Sequence, residues 1–91
     1  MINIRIYTSK ECHYCDDLKE KLEKLEIVFT DVDVDDEKNE VEISKLFEFA
    51  GEPVIPIIII KPHMLIPKRS FTTIDQAISL IQTKIEGLKE K

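Results

Sequence analysis

At the start of the chain Ile2, Ile4 and Ile6 alternate with Asn3, Arg5 and Tyr7, the period-two pattern of a strand with one apolar face. The period then lengthens. Cys15, Leu18, Leu22 and Leu25 recur at steps of three and four, with Lys19, Glu20, Lys21, Glu23 and Lys24 between them, which predicts an amphipathic helix after Cys12. Alternation returns from Ile27 to Val34, where Asp31 and Asp33 share one face and suit a strand at a sheet edge. Ile43, Leu46, Phe47 and Ala50 predict a second helix from about Asp36 to Ala50, ended by Gly51.

Pro53 and Pro56 bracket Val54 and Ile55, and the run Ile57 to Ile60 is apolar at every position, as in a strand buried on both faces. Lys61-Pro62-His63 reads as a turn into a short strand, Met64 to Ile66, that Pro67 stops. Thr73 and Gln76 have the spacing of a capping box for a last helix whose apolar face is Ile74, Ala77, Ile78, Ile81, Ile85 and Leu88. The predicted order is β-α-β-α-β-β-α. Its first three elements form a right-handed βαβ unit with parallel strands, and the later strands form an antiparallel hairpin. The fold class is α/β, a four-stranded mixed sheet with helices on both faces, in one domain spanning residues 1–91.

Composition narrows the setting. Of the 91 residues 43% are apolar and 34% charged, the balance of a globular protein. No stretch approaches the length of a membrane span, and the alternating start does not read as a signal peptide, so a cytoplasmic monomer without a membrane partner is expected. The net charge is −5, and no basic stripe carries interleaved aromatics, which argues against a nucleic-acid partner. The acidic run Asp31, Asp33, Asp35, Asp36, Glu37 reads as a solvated strand end; it lacks the glycine and spacing of a calcium loop.

The chemistry centres on the only two cysteines, spaced Cys12-His13-Tyr14-Cys15 between a strand and a helix. In a reducing compartment such a pair is redox-active or metal-binding rather than structural. Cys12 falls where the helix begins, and the unpaired N–H groups there favour a thiolate. Cys15 lies one turn in and more buried, so Cys12 is expected to be the nucleophile and Cys15 the resolving thiol. Lys10 and a protonated His13 support the thiolate; Glu11, Asp16 and Asp17 oppose it. His13 otherwise reads as an exposed loop imidazole and Tyr14 as a packing and partner-contact residue. A metal or iron–sulfur module is the alternative from a different class, yet among Cys12, Cys15, His13 and His63 only the two sulfurs have convincing spacing, and no metal ligand is assigned. A redox-inert interaction domain is the third reading.

The segment Tyr7-Thr8-Ser9-Lys10-Glu11-Cys12-His13-Tyr14-Cys15 resembles the "Y-S-K-x-x-C-P-Y-C" opening of glutaredoxins in the thioredoxin superfamily, and Val54-Ile55-Pro56 resembles their "T-V-P" segment. The resemblance extends over nearly the whole chain. It implies a thioredoxin-like fold and a dithiol disulfide oxidoreductase that reduces protein disulfides or glutathione mixed disulfides. It also implies that Pro56 is cis and packs against the dithiol, and that the backbone of Ile55 pairs with a bound peptide or with glutathione, a co-substrate rather than a tightly held cofactor. Three positions depart from the family pattern. His13 replaces a proline, Asp16 and Asp17 replace neutral or basic residues, and Pro67-Lys68-Arg69-Ser70-Phe71-Thr72-Thr73 replaces the "G-G-x-x-D" segment of glutathione-binding members. Lys68, Arg69, Thr72 and Thr73 remain candidates to hold a carboxylate. The reductant is therefore open between glutathione and a thioredoxin reductase.

Overall fold

A computed structural model describes residues 3–61 and 63–89; Ile2 of the first strand and Pro62 of the expected turn lie outside the described residues. The elements are β1 (Ile4–Thr8), α1 (His13–Lys24), β2 (Thr30–Asp33), α2 (Glu40–Ala50), β3 (Ile57–Ile60), β4 (His63–Leu65) and α3 (Ile74–Lys89), with a 3-10 turn at Glu37–Asn39. The sheet order is β2-β1-β3-β4. β1 pairs parallel with β2 and antiparallel with β3, and β3 pairs antiparallel with β4.

Alternation along the central strands sorts their side chains into two cores. Ile4, Ile6, Ile58, Ile60 and Leu65 face α1 and α3, meeting Leu18, Leu22, Ala77 and Ile81. Tyr7, Val32 and Ile57 face α2, meeting Ile43, Leu46 and Ala50. The isoleucine run of β3 thus serves both layers, as its lack of polar positions predicts.

Two predicted elements shrink. The second strand occupies only Thr30–Asp33 of the expected span from Ile27 to Val34. Ile27 and Phe29 are taken up in packing against the α1–α3 core while Val28 is 86% exposed, so the alternation there serves a loop laid over the core. The second helix does not begin at Asp36. That carboxylate accepts from the Lys38 N–H and starts the 3-10 turn, with the α-helix following at Glu40. Most of the acidic run is engaged locally: Asp33 accepts from the Asp35 N–H, and Asp31 binds both the buried Thr8 hydroxyl and Lys19.

Gly51 ends α2 in the left-handed conformation, as its position predicts. α1 ends the same way without a glycine. Ile27 N–H donates to Leu22 O and Glu26 N–H to Glu23 O, the paired bonds of a Schellman motif, and Glu26 takes φ +58°. A side chain pays a steric cost in that conformation that glycine does not. Glu26→Gly is therefore expected to stabilise the protein by about 0.5–1 kcal/mol after the added freedom of the unfolded chain is set against it. Urea unfolding of the oxidised form checks this; a lower midpoint would mean that the Glu26 side chain contributes more than its backbone costs.

Candidate active site

The capping geometry places the dithiol. Cys12 is extended, ahead of the first helical residue His13, and its Sγ accepts a hydrogen bond from the Cys15 N–H at 3.1 Å. A sulfur therefore fills the role that serine or aspartate usually plays at a helix start. Donation from a backbone N–H at the positive end of α1 is the contact that favours negative charge on that atom. The two sulfurs are bonded to each other, with Cα atoms 5.2 Å apart. Cys12 is partly exposed and Cys15 fully buried. Only the first is open to attack a disulfide outside the protein.

The charges around the pair are partly neutralised. Asp16 lies 4.0 Å from Lys19 and Asp17 3.6 Å from Lys21, so the acids that follow Cys15 pair along α1 instead of facing the sulfur alone. Such exposed pairs contribute little, because water and salt screen them. Lys21 also reaches Asp75 at the start of α3, at 2.8 Å. That hydrogen bond raises the lysine's pKa above its ordinary value, against a lowering by desolvation, and Asp17 adds to the rise. Among the described residues no group of three or more His, Cys, Asp or Glu is placed to hold a metal ion. Nor is any described helix long and apolar enough to cross a membrane.

A cleft of about 220 Å³ opens beside the dithiol. Tyr14 lines it from within the Cys-x-x-Cys segment, Ile55 and Pro56 from the approach to β3, and Lys68, Thr72 and Thr73 from the approach to α3. The Ile55-Pro56 peptide bond is cis, and Pro56 is buried. Six residues singled out from the sequence thus meet in one place. Lys10 and His13 are exposed and do not line the cleft. Arg69 does not line it either; its guanidinium lies over Gly51, where an added Cβ would stand 3.1 Å from it.

Sequence reasoning missed three apolar lining residues, Pro67, Phe71 and Ile74. The segment that carries them is a closed loop. Ser70 N–H donates to Ile66 O at 2.8 Å, Ile66 N–H donates to Ser70 Oγ at 3.0 Å, and Lys68, at φ +71°, donates its N–H to Phe71 O at 2.7 Å. Folded this way, a stretch that reads as basic and polar turns Phe71 inward, to 6% exposure. The signal available beforehand was Phe71 itself, a lone aromatic between polar residues where no strand or helix was expected.

Residues 4–65 match the family model for glutaredoxin. Solved structures with the same fold include a wheat glutaredoxin, 21% identical, with 88% of this chain and 69% of that one covered and a TM-score of 0.65. A buckwheat glutaredoxin in complex with glutathione is 12% identical, with 91% and 71% covered and a TM-score of 0.67. The glutaredoxin-like NrdH-redoxin of Escherichia coli, described as having a thioredoxin-like activity profile, is 23% identical, with 81% and 92% covered and a TM-score of 0.60. At these identities the likeness is one of fold. No curated protein gives a significant sequence match.

Proposed function

This chain belongs to the glutaredoxin family, and from that premise we propose that it is a dithiol oxidoreductase that reduces protein disulfides or glutathione mixed disulfides. The observation that carries the reading is the pairing of a partly exposed, helix-capping Cys12 sulfur with a buried Cys15 one turn away, beside a cleft. Thiolate Cys12 attacks one sulfur of the client disulfide. That S–S bond breaks, one client sulfur leaves as a thiolate and takes a proton from water, and a mixed disulfide with Cys12 remains. Cys15, as thiolate, then attacks Cys12 Sγ and releases the second client thiol. Two electrons have passed to the client, and the protein is left with the Cys12–Cys15 bond seen in the structure.

Tyr14, Ile55 and Pro56 form the surface on which the client lies, with the Ile55 backbone pairing to an extended segment. A cytosolic setting belongs to this reading, because its dithiol must be returned to the reduced state. Glutathione is the reductant in the preferred reading, acting at low affinity. The similarity in fold to NrdH-redoxin favours a second, service by a thioredoxin reductase.

The test supplies oxidised protein and a protein disulfide with either NADPH, glutathione reductase and glutathione, or NADPH and thioredoxin reductase. Turnover in the glutathione system that rises with glutathione concentration without saturating is the expected result. Turnover with thioredoxin reductase alone would replace the first reading with the second, and none in either would overturn both.

A further inference from the structure

Two walls of the cleft come from segments far apart in sequence. Tyr14 belongs to the first turn of α1, between the two cysteines, while Thr72, Thr73 and Ile74 lead into α3. Their separation is set by how α1 and α3 pack. Along most of the seam the contact is apolar, with Leu18 and Leu22 against Ala77 and Ile81. At the α3 entrance it is ionic. Lys21 Nζ donates to Asp75 Oδ1 at 2.8 Å and lies 3.6 Å from Asp17 Oδ2.

Asp75 directly follows Ile74 of the cleft wall, and Asp17 stands about one turn after Tyr14. One ammonium thus binds a carboxylate on each side of the seam. No other ion pair among the described residues joins α1 to α3. Asp75 is 85% exposed and makes no other side-chain hydrogen bond among the described residues. Without the lysine, the two carboxylates that share it would face each other across the seam and repel. Both are exposed, so water and salt limit that repulsion. The apolar seam keeps the helices packed either way, and the part that shifts is the α3 entrance. Lys21 itself does not line the cleft, and neither does the partly exposed Cys12. The lysine's pKa, raised chiefly by the bond to Asp75, keeps its charge in place wherever thiols exchange.

Within the thiol–disulfide reading on which this rests, we propose that Lys21 is a positioning residue for protein clients. By holding Asp75 toward Asp17 it sets the distance between the α3 entrance and the dithiol, and so the fit of a client segment in the cleft. A small disulfide that reaches Cys12 without entering the cleft is indifferent to it.

The test compares two oxidants of different size. The full chain is reduced, freed of reductant and mixed with insulin, a protein disulfide, or with bis(2-hydroxyethyl) disulfide, which is small and uncharged. Second-order rate constants are measured at low ionic strength. Lys21→Met is expected to lower the constant for insulin by about threefold, the scale of an exposed charge network, and to leave that for the small disulfide unchanged. Lys21→Arg, which keeps the cation, is expected to react as the native protein does. In an Asp75→Ala background Lys21→Met is expected to change nothing further, because the group it positions is gone. Lys21→Gln repeats the first arm should Lys21→Met not fold. Equal loss with both disulfides would place the effect on the dithiol itself and overturn the proposal. So would a loss that persists undiminished beside Asp75→Ala, or an unchanged insulin rate, the result for a lysine that serves stability alone. Reduction of neither disulfide by the native chain would overturn the oxidoreductase reading instead, so the two failures are told apart.

Discussion

Cys12→Ser is expected to abolish disulfide reduction, by roughly three orders of magnitude or more, while Cys15→Ser stops the reaction halfway and accumulates a covalent adduct with the client. A thousandfold loss corresponds to about 4 kcal/mol of transition-state stabilisation, which no rearrangement around a hydroxyl replaces, because an alcohol does not displace a thiolate from sulfur under these conditions. The asymmetry comes from burial. Cys12 is partly exposed and caps α1, whereas Cys15 has no exposed surface and reaches only Cys12. In Cys15→Ser the first displacement proceeds and the resolving thiolate is missing. Intact-mass measurement after mixing with a disulfide client should show a stoichiometric adduct that dithiothreitol removes. An adduct formed by Cys12→Ser instead would exchange the two roles, and full turnover by that variant would remove the dithiol mechanism altogether.

The second large effect lies in the core. Ile58→Ala is expected to destabilise the oxidised protein by about 3 kcal/mol, within the usual 2–5 kcal/mol for removing a buried aliphatic side chain. For a domain of this size that lowers the midpoint of thermal unfolding by roughly 12–24 °C. Ile58 is fully buried, pairs with Ile6 on one side and Leu65 on the other, and faces the α1–α3 core. Its neighbours belong to three strands and two helices, so the site has little freedom to collapse around a cavity. Ile59, on the opposite face and only partly buried, provides the contrast: Ile59→Ala should cost less than half as much. Equal losses at the two positions in calorimetry would contradict the difference in burial between Ile58 and Ile59.

The elements were legible wherever one period ran undisturbed. The strand of β1, the stripe of α1, the glycine stop of α2 and the Thr73–Gln76 box are each local, and each stands where the residues place it. Leu25 marks the limit of that reasoning. It continues the α1 stripe in sequence, yet it is the C-cap and 45% exposed, because the helix ends before the stripe does. Pattern also overextended β2, since Ile27 and Phe29 alternate for the sake of a core contact and not a strand pairing.

The dithiol was legible from residue type and order, and Pro56 through the resemblance of Val54-Ile55-Pro56 to a glutaredoxin segment. The cleft was not, because its far wall is made by a loop whose shape depends on Ser70 and Phe71 bonding back to Ile66 and Lys68. Gln76 shows the same boundary from the other side. Its spacing identified a helix cap, but only the structure shows that Thr72 and Thr73, which it holds, also line the cleft.

In the proposed mechanism one atom, Cys12 Sγ, is at once the reagent and, by accepting from the Cys15 N–H, the cap of the helix behind it. Serine is among the residues best suited to begin a helix, so exchanging sulfur for oxygen at this position silences the chemistry and leaves the architecture its anchor. Alanine would remove both together and confound them. The fold thus supplies its own control: a catalytically mute twin with an intact helix entrance, suited to asking what this surface recognises when no electrons are moving.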